Sequence, residues 1–354
     1  MAQHFGSDRA RVSVPGLGPL LGAVRELPML PVILVFGVVL SFTVDGFMSV
    51  PNIQNILRQI SVILIAATGE TLVILIGGID LSVGATIGLA SVTGAYAMHD
   101  THSAALGVLT CVAIGIGVGT INGVGIARVG IQPFIMTFAM LLTARASAFL
   151  VTGGRSVGAL PKSVLVAGRF NLMSVPLVFV IGVVIAVVGG FVLSYTVFGQ
   201  RIYLTGSNPR AAAFSGVDVK RLKFNVYLIS GTLAGLAAFV FMMRLGAATP
   251  NAGDPLLLQI IGGVLLGGNA MTGGEGGMLR TITGALLIAM LIKSMEILGA
   301  QFWDQLIVVG ALVALGSALG AWLSRRRTSE TKGRTDGPVA QAPPAPSLLE
   351  RQRP

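Results

Sequence analysis

The sequence predicts an all-α, polytopic membrane protein of about ten transmembrane helices, with both termini cytoplasmic. Three observations predict it. Hydrophobic residues fill 53% of the 354 positions and charged residues only 11%, where a soluble domain carries about 25% charged residues. Apolar windows of spanning length, roughly 17–25 residues, recur from residue 27 to residue 323. The 48 glycines exceed the usual share of about 7% and suit helices whose backbones approach closely in lipid.

Residues 1–26 are mixed and polar, with Pro15, Gly16 and Gly18, and lack the charged start and short apolar core of a cleavable signal. The windows that follow are 27–44, 59–76, 82–98, 104–127, 134–151, 175–198, 225–245, 256–268, 279–298 and 303–323. The eighth, at 13 residues, is short enough for a re-entrant or half-helix, which would leave nine spans. Orientation follows from the basic residues, which favour the cytoplasmic side. With the N-terminus inside, the interior ends carry Arg9, Arg11, Arg25 and Arg128, then Arg201, Arg210, Lys220, Arg221 and Lys223, then Arg280 and the run Arg325-Arg326-Arg327. The exterior ends carry Arg58, Arg155, Lys162, Arg169 and Arg244. Both ends inside requires an even number of spans, and ten satisfies it. The chain therefore divides into a cytoplasmic N-terminal segment (1–26), a transmembrane domain (27–324) with a long cytoplasmic loop at 200–224, and a tail (325–354). The tail is rich in Pro, Ala, Arg and Thr without apolar periodicity, so disorder is expected.

The net charge of +10 does not point to nucleic acid, because the basic residues flank apolar runs with no aromatic platforms beside them. They read as topology signals. A single cysteine, Cys111, excludes an intrachain disulfide and a thiolate zinc cluster. His4, His99 and His102 fall outside the predicted spans and suggest no metal set. No Gly-x-x-x-x-Gly-Lys-Ser/Thr loop is present to cradle ATP phosphates, and no nucleophile–base spacing stands out. No cofactor, metal or enzymatic activity is expected in this chain. Small-xxx-small spacings at Gly84/Gly88, Gly115/Gly119/Gly123, Gly231/Gly235 and Gly263/Gly267 are expected to mark helix crossings.

Three places carry polar chemistry. The first is Gly77-Gly78-Ile79-Asp80-Leu81-Ser82-Val83-Gly84, where the chain would turn back between two apolar runs. Asp80 and Ser82 can cap the following span; contact with cargo or an ATPase is the functional alternative. The second is the set Glu70, Arg145, Lys293 and Glu296, costly if exposed to lipid. Lys293 and Glu296 are three apart and can neutralise one another. Glu70 and Arg145 have no local partner, so they pair across helices, sit at helix ends or line a polar substrate path. The third is Gly206 to Gly216. Ser207 and Asn208 are good N-caps, Pro209 fits the first helical position, Ala211 to Ala213 favour helix, and Gly216 supplies the stop. A helix from Pro209 to Ser215, about 10 Å long, is too short to stand alone and must be braced by flanking spans or by another protein.

The run from Thr71 through the octapeptide at 77–84 closely resembles the signature of ABC-type sugar permeases of the ribose/xylose class, the membrane subunits of bacterial importers. The likeness covers about residues 50–320. It includes Val50-Pro51-Asn52-Ile53-Gln54-Asn55-Ile56-Leu57, Gln132-Pro133-Phe134-Ile135-Met136-Thr137, the loop from Tyr203 to Val217, and Gly267-Gly268-Asn269-Ala270-Met271-Thr272-Gly273-Gly274-Glu275-Gly276. Two departures stand out. The acid expected near Leu257 is absent, with Asp254 the nearest substitute, and Asn269-Ala270-Met271 replaces a more usual Thr-Ser-Leu. The resemblance implies an inner-membrane importer for a pentose, hexose or related polyol. Its implied partners are an ATP-binding cassette ATPase holding ATP and Mg, an extracytoplasmic sugar-binding protein, and a second permease copy, as a homodimer or with a sister permease. It also implies that Asn208, Pro209, Arg210, Ala211, Ala212, Phe214, Ser215 and Gly216 form the segment that docks on the ATPase. A permease for branched-chain amino acids or nucleosides is the nearest alternative. An ion-coupled secondary transporter using Glu70 and Arg145 is the alternative of another class, and a membrane scaffold a third.

Overall fold

The computed structural model describes residue 27 and residues 29–316. The expectations for residues 1–26 and for the tail at 325–354 lie outside the described residues. Each predicted window meets a helix: α1 (Leu30–Thr43), α2 (Val50–Leu75), α3 (Val83–Thr101), α4 (Ala104–Val124), α5 (Pro133–Thr152), α7 (Leu177–Tyr195), α10 (Val219–Leu245), α11 (Gly253–Leu266), α12 (Met278–Ile297) and α13 (Phe302–Gly316). Between them lie α6 (Lys162–Arg169), α8 (Val197–Ser207) and α9 (Pro209–Phe214). Six helices are long and apolar enough to cross a membrane: α2, α4 with its extension to Val129, α5, α7, α10 and α12. α1, α11 and α13 are apolar but shorter. The all-α expectation therefore holds, and six is the number of candidate spans among the described residues.

Local sequence sets the ends. Proline occupies the first turn of α1, α2 and α5, where its missing N–H costs nothing. α4 runs on into a π-turn, Gly125–Val129, closed by Gly130 at φ +86°. Gly153 and Gly246 end α5 and α10 in the left-handed conformation. His99, expected outside the spans, lies in the last turn of α3.

α2 is the central pillar. Of its apolar window 89% is buried, against 22–28% for α4, α5 and α7, whose outer faces stay exposed. The exposed side chains there include Leu109, Ile116, Leu142, Val187 and Phe191, a surface suited to lipid. α10 packs beside α2 and against α4 through backbone. A methyl group at Gly231 would overlap the Gly115 carbonyl and crowd Gly119, and one at Gly235 would overlap the Cys111 carbonyl. Gly84 and Gly88 meet the Pro250–Gly253 backbone in the same manner, and Gly263 meets Ala285. The small-residue spacings thus mark crossings between helices.

Two parts differ from the sequence expectation. The window at 175–198 breaks at Thr196, whose hydroxyl accepts from the Gly199 N–H (3.2 Å) and so starts a new helix, α8. The loop between α5 and α7 is not plain. It holds α6 and a two-residue hairpin, Asn171–Leu172 paired with Val175–Pro176. Arg58 of α2 donates to the Asn171 side chain (2.9 Å) and the Arg169 carbonyl (3.3 Å), so Arg58 and Arg169 lie at one end of the bundle.

Replacing Gly231 by Val should lower stability by about 1–3 kcal/mol through overpacking, read as a lower melting temperature in detergent. Gly117→Ala, on α4 with open space beside it, should leave that temperature unchanged or higher.

Candidate functional site

The octapeptide forms a tight turn after α2. Gly77 has φ +81°, and Gly78 lies where any side chain would overlap the Tyr227 hydroxyl. Asp80 then folds inward to 2% exposure. Its backbone N–H donates to Glu70 Oε1 (3.1 Å). Its Oδ1 accepts from the Ser82 N–H (2.9 Å) and hydroxyl (2.6 Å), and its Oδ2 accepts from the Ser230 hydroxyl (3.2 Å). Asn122 donates to the Ser82 hydroxyl (2.9 Å), and Thr137 donates to the Ile79 carbonyl (3.2 Å). One turn thereby ties α2, α3, α4, α5 and α10.

This revises the capping expectation. Ser82 stands at the N-cap of α3, yet its side chain accepts nothing from that helix. Asp80 reaches only as far as Ser82. Asp80 also takes a bond from Ser230 of α10 and Ser82 one from Asn122 of α4, because a buried carboxylate in an apolar bundle needs donors from several directions. Leu81 is partly buried, and Gly84 serves the α3–α11 crossing.

Glu70 and Arg145 do not meet. Glu70 is fully buried against the turn. Arg145 pairs with Asp254 (2.8 Å), the acid nearest the missing position 257. Lys293 and Glu296 pair at 2.8 Å as their spacing requires.

The second glycine turn packs on the first. The Gly274 N–H donates to the Leu75 carbonyl (2.9 Å) at the end of α2, and a methyl at Gly273 would come 2.8 Å from the Gly77 nitrogen. Asn269 builds this turn. It donates to the Val264 carbonyl (2.7 Å) and the Thr281 hydroxyl (3.0 Å), and accepts from the Gly277 N–H (2.7 Å). The departure at 269–271 therefore has a structural use. Gly206 and Ser207, the end of α8, lie directly on Gly274 and the Leu75 carbonyl, and Tyr203 donates to the Gly276 carbonyl (3.1 Å).

From that junction projects α9. The Asn208 side chain accepts from the N–H groups of Arg210 and Ala211, both at 3.0 Å, with Pro209 in the first turn. The helix ends at Phe214, Ser215 is its C-cap, and Gly216 stops it at φ +80°. Ala212 is buried, whereas Phe214 is 93% exposed. A large apolar side chain therefore stands free at the tip of a capped helix.

Sequence reasoning missed Asn122 and Ser230, and named Tyr203 and Asn269 only within the resemblance, without the bonds they make. Lone polar residues inside apolar runs were the available signal for most of them, but their partners lie up to 150 positions away.

Comparison with known proteins agrees with this architecture. The chain belongs to the family described as branched-chain amino acid transport system / permease component, whose model matches residues 52–316. It is 34% identical over 295 residues to a ribose import permease protein of Escherichia coli K12, covering 82% of this chain and 92% of that one. A ribose import permease protein of Bacillus subtilis is 33% identical over 323 residues, 90% and 97% of the two chains. The fructose import permease protein of Rhizobium meliloti is 31% identical over 322 residues, 88% and 87%. No solved structure matches the chain.

Asp80→Ala would strand the Ser82 and Ser230 donors in the interior and should cost about 3 kcal/mol. Thr137→Val, which removes one bond to the turn, should cost about 1 kcal/mol. Melting of the purified variants in detergent checks both.

Proposed function

We propose that this chain is the transmembrane subunit of an ATP-driven, binding-protein-dependent importer that moves a monosaccharide across the bacterial inner membrane. The observation that carries the reading is the set of relatives at 31–34% identity over most of the chain, which import ribose and fructose by name. The exposed Phe214 at the tip of α9 supports it.

On this reading the ten helices that meet the predicted windows all cross the membrane, an even number that keeps both termini inside. Residues 27–324 are the permease domain and 200–224 its coupling loop. ATP and Mg bind on a separate ATPase, and this chain supplies no nucleotide loop. Asn208 to Gly216 dock on that ATPase, Phe214 entering a groove in it. Two copies of the permease assemble so that each presents one α9. A sugar-binding protein delivers cargo at the opposite end. Asp80, Ser82 and Glu70 then hold the turn that backs the coupling helix, while Arg145 stands near the substrate path beside Asp254.

Deletion of the gene should abolish ATP-dependent uptake of a monosaccharide such as ribose or fructose. Purified permease alone in liposomes should import none when given an ion gradient; uptake there would establish the ion-coupled alternative. Uptake of leucine in place of sugars would establish the amino-acid alternative.

Phe214→Ala should weaken ATPase binding by about tenfold without altering membrane insertion, as loss of a central aromatic anchor does. Gly216→Val forces a β-branched residue into the left-handed region at about 1–3 kcal/mol of strain. That strain is relieved by displacing α9, so cargo-stimulated ATP hydrolysis should fall while the protein stays folded. Co-purification of the ATPase and hydrolysis in the assembled complex read the two effects.

A further inference from the structure

A cavity of about 460 Å³ opens at the end of the bundle away from α9. Gln59 lies 16 residues before the end of α2, about 24 Å from the coupling junction along the helix axis. The wall is completed by the last turns of α10 and α12 and the first turns of α11 and α13. Its volume falls within the range of about 300–1,000 Å³ usual for small-molecule sites.

The chemistry of this wall is specific. Gln59 and Gln259 are 4% and 8% exposed, and the Oε1 atom of each is buried without a hydrogen-bond partner. Both side chains line the cavity, and a rotation of each amide brings its unpaired carbonyl, now closed to solvent, to face it. Arg244 offers donors on the same wall, and among the described residues no carboxylate lies within 4.0 Å of it. The two acids of the wall are already matched: Asp254 pairs with Arg145 and Glu296 with Lys293. Phe241 and Phe302 supply apolar faces. Amide acceptors, a guanidinium donor whose charge Glu296 on the same wall offsets, and flat apolar surfaces fit a ligand that is uncharged, carries several hydroxyls and has one apolar face. An amino acid would need a free carboxylate for its ammonium group, and both acids are occupied.

We propose that this cavity is a contact site for a neutral monosaccharide, with Gln59 and Gln259 accepting hydrogen bonds from its hydroxyls. The proposal rests on the importer reading and deepens it, placing a station for cargo at the face where a delivery protein would release it. Holding the sugar by a few neutral hydrogen bonds makes the site weak, which suits a place that cargo must leave again.

Thiol protection in the full-length permease tests this without the ATPase or the binding protein. Cys111 is the chain's single cysteine and is buried, so an introduced thiol reads against a quiet background. Gln305→Cys places the probe on the cavity wall. Ribose or fructose at about 100 mM, enough to fill a millimolar site, should slow its maleimide labelling at least about threefold, whereas leucine should not. Met173→Cys, on the exposed hairpin turn, controls for general effects and should label at one rate throughout. Adding Gln59→Leu and Gln259→Leu to the Gln305→Cys protein should weaken protection about tenfold or more, each lost bond contributing several-fold. Absence of protection in folded protein, protection by leucine equal to that by sugar, or protection that survives both substitutions overturns the site. A strain that imports sugar through this chain while its Gln305→Cys protein shows no protection overturns the cavity assignment alone. Loss of the importer reading shows separately, as unchanged sugar uptake after deletion.

Discussion

The Asp80 carboxylate sits where α2 turns back, inside a bundle whose other contacts are almost all apolar, and it dictates what can surround it. Donors must come from more than one helix, and Ser82 and Ser230 supply them. For Ser230 to reach that far inward, α10 must press against α2, and Gly69 permits it. A methyl there would come 2.8 Å from the Ser230 Cα. α10 must meanwhile hold its place against α4, which the Gly115–Gly231 crossing allows. The glycine spacing and the polar turn are therefore one requirement met twice. Backbones without side chains bring the hydroxyls close enough to satisfy an acid that cannot be left alone.

The same logic explains the division between what the sequence revealed and what it withheld. Spanning windows are legible because lipid permits few backbones other than helix, and the apolar run has to match the bilayer. The coupling helix was legible because its cap, first-turn proline and stop glycine are local signals, and each sits where it was read. α8 was not, because a single threonine cap inside a continuous apolar-to-polar run decides the break at residue 196. The hairpin at 171–176 is held by pairing and by Arg58 from another helix, so no short pattern announces it.

Polar residues within spans gave the hardest reading. Glu70 has no charged neighbour one turn away because its partner is a backbone N–H ten residues further on. Arg145 finds its acid 109 positions away. Gln59 and Gln259 share a wall although 200 residues separate them in the chain. Ranged along the sequence these side chains look like isolated blemishes in apolar text, and only the folded bundle sorts them into a structural knot at one end and a cavity at the other.

The junction beneath α9 has a mechanical consequence. Where Gly206, Gly273, Gly274 and Gly77 meet the Leu75 carbonyl, main chain rests on main chain, with the Ser207 and Tyr203 hydroxyls beside the contact. Side chains act as springs, since they can change rotamer and absorb a displacement. Here few are interposed. The contact joins the base of the short helix to the foot of α2, the candidate span most deeply enclosed among the described residues.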